Sequence, residues 1–156
     1  MHCQLDEVKQ ILYVASAARN AVLQEFPESS GPGGFSLESG SLVFGLLLLG
    51  GHDVFMQKGV ISINGKNHDH YWVEVYLDGE AFILDVALAQ FGGGQDERMP
   101  EVLFMSKDEA AGEYGYAHGK DYDWRREDCE EKVWQAALDM LEINKPLSQV
   151  FKEIED

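Results

Sequence analysis

Residues 70–86, HYWVEVYLDGEAFILDV, decide the fold. Branched and aromatic residues fill both runs flanking Asp78-Gly79, and an Asp-Gly pair set between such runs is a strong two-residue hairpin signal. Closing the turn there pairs Leu77 with Glu80, so that Val75 faces Phe82, Val73 faces Leu84 and Tyr71 faces Val86. Those residues make one wholly apolar face. The alternate positions make the other, where Trp72 lies opposite Asp85 and His70 is one diagonal step from Asp85. Diagonal α-carbons stand about 7–8 Å apart, a gap that an imidazole and a carboxylate can bridge. A carboxylate in that place selects the ring tautomer, orients the imidazole and stabilises the imidazolium formed when it takes a proton. Taken alone, the same pair also reads as a solvated cross-strand ion pair, which is common and weak.

Working outward, Val54 to Ile63 has strand composition and joins the hairpin through Asn64-Gly65, a second turn of the same kind. Leu5, Val8, Leu12, Ala15, Val22 and Phe26 recur at helical spacing, and Pro27 stops the pattern. Residues 28–34, ESSGPGG, form a loop. A second helix is expected from Ser36 to Leu49, closed by Gly50-Gly51 in a left-handed cap. Phe91 to Pro100 reads as a Gly-rich loop and Glu101 to Met105 as a short strand. A helix from Arg126 to Asn144 should bury Val133, Ala137, Met140 and Leu141, with Pro146 separating it from a short tail helix. With no repeat or interdomain linker, residues 1–156 read as a single α+β domain with helices packed on an antiparallel sheet.

Twenty-eight acidic against 12 basic side chains give a net charge of −16 over 156 residues. That balance repels a phosphate backbone, so no nucleic-acid partner is expected. The apolar run Leu42 to Leu49 is far short of the ~20 residues needed to span a bilayer, and no secretory signal is visible, so no membrane partner and a cytoplasmic location are expected. Cys3 and Cys129, distant in the chain, are expected to be reduced and without catalytic role.

Three segments in order, GGFSLESGSLVFGLLLLGG, HYWVEV and ILDVALAQF, resemble the transglutaminase-like branch of the papain-like cysteine enzymes over about Gly31 to Phe91. In that family the nucleophile follows Gly-x at a helix start, a His-x-Trp lies on the next strands and an Asp on the neighbouring strand. By this resemblance Gly34-Phe35-Ser36 corresponds to Gly-x-nucleophile, Gly40 to the small residue four places on, and Gly50 to the glycine ending the helix. His70 corresponds to the base and Asp85 to its orienting carboxylate. Trp72 shields the pair, and Gln90 matches the Gln of an Asp-x-x-x-x-Gln-Phe segment that lines the site in small bacterial members. The resemblance implies acyl transfer on a protein or peptide amide, by hydrolysis, deamidation or transamidation, with no cofactor. The family nucleophile is Cys, whereas this chain carries Ser36. A deliberate change trapping an inactive protein, a native serine nucleophile, and a domain that has lost catalysis but kept binding are all open. Ser36 alone is also an ordinary helix N-cap.

The main rival reads His68, His70 and Asp85 as a two-His, one-carboxylate metal site. Against it, His68 sits close to the Asn64-Gly65 turn and Asp85 already has a use, so no metal is expected. His52 and His118 are expected to be solvated loop residues. Tyr114, Tyr116, Tyr122 and Trp124 form an aromatic group suited to a lid, a core edge or a substrate groove.

Overall fold

A computed structural model describes residues 2–26, 35–88 and 100–155. Gly34, Gln90, Phe91, the loops that contain them and the side chain of Cys3 lie outside the described residues. Five helices, α1 (His2–Glu25), α2 (Ser36–Leu49), α3 (Lys107–Tyr114), α4 (Glu131–Met140) and α5 (Leu147–Glu155), accompany five strands among the described residues. The strands β1 (Val54–Ile63), β2 (Lys66–Leu77), β3 (Glu80–Asp85), β4 (Leu103–Ser106) and β5 (Ala117–Asp121) form one antiparallel sheet in the order β4-β3-β2-β1-β5. This is an α+β architecture.

Both turns form as expected. Asn64, Gly65, Asp78 and Gly79 all have positive φ (54°, 76°, 51° and 80°), the two-residue geometry that matches right-handed strand twist. Leu77 pairs with Glu80, Val75 with Phe82 and Val73 with Leu84. The ladder then stops, so the Tyr71–Val86 and Trp72–Asp85 pairs expected by extrapolation do not form. β2 begins at Lys66, earlier than Tyr71, because its first half pairs with β1, His68 lying opposite Ile61.

On one face, Val54, Met56, Val73, Val75, Leu77 and Leu84 meet the buried side chains of α1, α2, α4 and α5. α2, apolar on nearly every side, is buried along most of its length, with Leu37, Glu38, Phe44, Leu48 and Leu49 half-buried. It ends in a Schellman motif: Gly51 (φ 83°) donates to Leu48 O and His52 to Leu47 O, so the left-handed residue is Gly51 while Gly50 stays right-handed. The inward stripe of α1 is Ile11, Ala15, Ala18, Ala21 and Val22, rotated from the expected one, and leaves Leu5 56% exposed. Alanines at these positions allow the close approach of α2 and α4.

The opposite face carries a second cluster, Ile61, Ile63, Trp72, Ile83 and Leu103 capped by Leu88, Ala110 and Tyr116. The sequence announces neither α3 nor the edge strand β5, which flank it. Their polar sequences hide them: α3 contributes one buried residue, Ala110, and all of β5 is exposed. The expected helix over Arg126 to Asn144 is a 3-10 turn at Arg126–Asp128 followed by the shorter α4. Its interior is Val133, Trp134, Ala136, Ala137 and Leu138; Met140 and Leu141 sit only partly buried.

Candidate functional site

His70 and Asp85 lie together on the second face, His70 fully buried and Asp85 2% exposed. Nε2 of His70 stands 2.6 Å from Oδ2 of Asp85. A carboxylate can only accept, so Nε2 carries the proton and Nδ1 is the nitrogen left to exchange one. Burial by Trp72, Tyr116 and Leu103 removes the pair from the weak, screened class of surface ion pairs. The expectation that both groups share a face therefore holds, but the face is a second core layer rather than a solvated surface.

Asp85 is held by more than the histidine. Oδ2 also accepts from the Tyr116 hydroxyl at 2.6 Å, and Oδ1 accepts the amide of Ala87 at 2.8 Å. Burial, then the Asp85 charge, pushes the Tyr116 phenol well above its usual pKa, so it stays a donor. The sequence signalled Tyr116 only as one of four aromatics. The group divides between the cores: Tyr114 and Tyr116 belong to the second cluster, Tyr122 and Trp124 to the first.

Ser36 is the first residue of α2, and Phe35, not Ser36, is the N-cap. The plain cap reading is thereby corrected. Instead, Ser36 Oγ accepts from the amide of Tyr71 at 3.4 Å. That amide belongs to the part of β2 beyond the last β2–β3 pair, where the ladder has opened. The break thus brings the N-terminus of α2 to the residue next to His70. A helix N-terminus carries unpaired N–H groups and a positive dipole end, which favour negative charge on a side chain there.

Trp72 is 3% exposed, with its ring centroid 6.4 Å from that of His70 and 5.0 Å, edge to face, from that of Tyr116. Its indole N–H finds no acceptor among the described residues, so packing sets the ring's position. Gly59 makes room for it: a Cβ there would meet Trp72 Cη2 at 2.5 Å and Ala117 O at 2.7 Å. Trp72 is thus a wall of the buried pair. Gln90 lies outside the described residues.

Among the described residues, no three His, Cys, Asp or Glu side chains are placed to share a metal ion. His68, close to the Asn64-Gly65 turn, lies within β2 opposite Ile61. His52 is not solvated: its side chain is 9% exposed and Nδ1 lies 3.0 Å from Glu7 Oε2. His118 is exposed but in β5 rather than a loop. Cys129, between the 3-10 turn and α4, is 2% exposed, and burial pushes its thiol up to about 12. A thiol so held is no nucleophile. Among the described residues, no helix is long and apolar enough to cross a membrane. No family model, no curated protein and no solved structure matches this chain.

Proposed function

We propose that this domain is an acyl-transfer centre of the papain-like, transglutaminase-like kind, acting on a protein or peptide amide, with position 36 as nucleophile, His70 as base and Asp85 as its orienting carboxylate. The observation that carries this reading is the buried 2.6 Å His70–Asp85 contact on the residue next to the amide that binds Ser36 Oγ. In the reaction, the position-36 oxygen or sulfur attacks the amide carbon while His70 Nδ1 takes its proton. The tetrahedral oxyanion is met by the N–H groups at the start of α2. Collapse breaks the C–N bond, His70 returns the proton to the leaving amine, and an acyl-enzyme remains. Water or a second amine then attacks it, giving hydrolysis or transamidation. Trp72 keeps bulk water from the His70–Asp85 pair. The reduced Cys129 fits a cytoplasmic setting.

A second reading, a binding module on the same fold, is favoured by one feature: residue 36 is a serine, and it is only 7% exposed. One experiment separates the two. With Cys3 and Cys129 changed to Ala, Ser36→Cys should alkylate rapidly near neutral pH, and His70→Ala in that background should slow the reaction at least about ten-fold, since the helix end and the imidazolium both favour the thiolate. Reaction at the rate of a free thiol, indifferent to His70, leaves the binding module.

A further inference from the structure

Asp85 can orient His70 only if its own carboxylate is held, because a rotation about its Cβ–Cγ bond would carry Oδ2 away from Nε2. On the side of Oδ1 the restraint is local: the Ala87 amide, two residues on, closes a short turn around the carboxylate. On the side of Oδ2 it is remote. The Tyr116 hydroxyl, 31 residues away in sequence and 6% exposed, donates to the same oxygen that His70 engages. The segment bearing it is itself constrained. Gly115 takes the left-handed conformation (φ 70°) at the end of α3, and a Cβ there would stand 2.6 Å from Ser62 Cβ and 3.0 Å from the Ser62 amide nitrogen. The residue after Tyr116, Ala117, opens the β5 ladder opposite Val60. Tyr116 therefore enters from a chain reversal fixed at both ends, with its ring edge-on to Trp72.

We propose that Tyr116 is a positioning residue of the site: its hydroxyl locks Asp85 so that Oδ2 faces His70, and the α3–β5 connection serves to carry it there. A second donor on Oδ2 also shares the carboxylate's charge, so it tempers as well as aims the pull of Asp85 on the ring. The role rests on the acyl-transfer reading for its catalytic meaning, but the hydrogen-bond lock can be measured without it.

The test uses the full chain and Tyr116→Phe, which keeps the ring against Trp72 and removes only the donor. Proton NMR of the unmodified protein should show a far-downfield His70 Nε2–H, identified by its loss in His70→Ala, and a protected Tyr116 hydroxyl proton near it. In Tyr116→Phe the Nε2 proton should exchange with solvent about five- to ten-fold faster, the effect of one hydrogen bond. In the Ser36→Cys background free of other thiols, alkylation should slow by a similar factor. A purely structural tyrosine predicts a lower melting temperature with the Nε2 resonance and the alkylation rate unmoved, and that result overturns the proposal. So does the lack of a protected Tyr116 hydroxyl in the unmodified chain. If His70→Ala fails to slow alkylation, the acyl-transfer reading falls by itself, and the resonances still decide whether Tyr116 holds Asp85.

Discussion

At Asp85 the Nε2–H of His70, the Tyr116 hydroxyl and the Ala87 amide all converge on one carboxylate that is 2% exposed. Truncation to alanine strands all three in a space that water does not freely enter, and each unmet buried donor costs about 1–3 kcal/mol. Asp85→Ala is therefore expected to lower the unfolding free energy by about 3 kcal/mol or more, as read from urea unfolding, and a loss below about 1 kcal/mol would show the network to be slack. Cys129 makes a second prediction at this scale. Chiefly through burial, its thiol is pushed up to about 12 in the folded chain from the 9.0 of a free thiol. Below pH 9 both states hold the proton; above it the unfolded thiol releases it first, so stability is full at lower pH and falls as pH rises toward 12. The loss approaches about 4 kcal/mol across that window at one proton per molecule. Stability measured against pH should lose this component of its slope in Cys129→Ala.

At the scale of elements, α2 is the piece whose position matters most, since it carries residue 36 to the opened end of the β2–β3 ladder. Gly45 lets it sit there. A Cβ at that position would meet Trp134 Cη2 at 2.4 Å and Trp124 Cζ2 at 3.0 Å, and Trp134 is fully buried between Trp124 and Phe151. Alanine gains about 1 kcal/mol of helix propensity over glycine. Overpacking a rigid indole costs about 1–3 kcal/mol. Because the indole has nowhere to retreat, the steric cost should win: Gly45→Ala is expected to melt at a lower temperature and to alter the near-ultraviolet circular dichroism of its tryptophans. A stabilised variant would mean that Trp134 yields easily. The indoles also tie the 3-10 turn to the core, Trp124 donating to Ser41 O and Trp134 to Arg126 O.

For the whole molecule, a charge of −16 means that folding gathers like charges which the unfolded chain keeps further apart. Added salt screens this repulsion over a Debye length of ~10 Å at 0.1 M. The melting temperature should therefore rise by a few degrees between about 10 and 150 mM sodium chloride, and a fall would indicate that attractive pairs such as Arg19–Glu101 dominate instead. Much of the fold was legible in the chain because its signals are local. Asp78-Gly79 and Asn64-Gly65 set turn type and register within a few residues, and the apolar run of α2 between Ser36 and Gly50 marks a buried helix whatever surrounds it. The shared face of His70 and Asp85 followed from the same parity. The tertiary structure decided what parity cannot express. Where the β2–β3 ladder ends depends on the helix that takes up the Tyr71 amide. Whether the His70 face is wet or dry depends on α3 and β5, whose residues are polar because they form the outer wall. The second side chain on Asp85 comes from Tyr116, 31 residues away, through a chain reversal at Gly115 that no periodicity announces. Local pattern specifies strands, turns and their facing, since these rest on interactions between near neighbours. Burial and long-range hydrogen bonding arise only when distant segments meet.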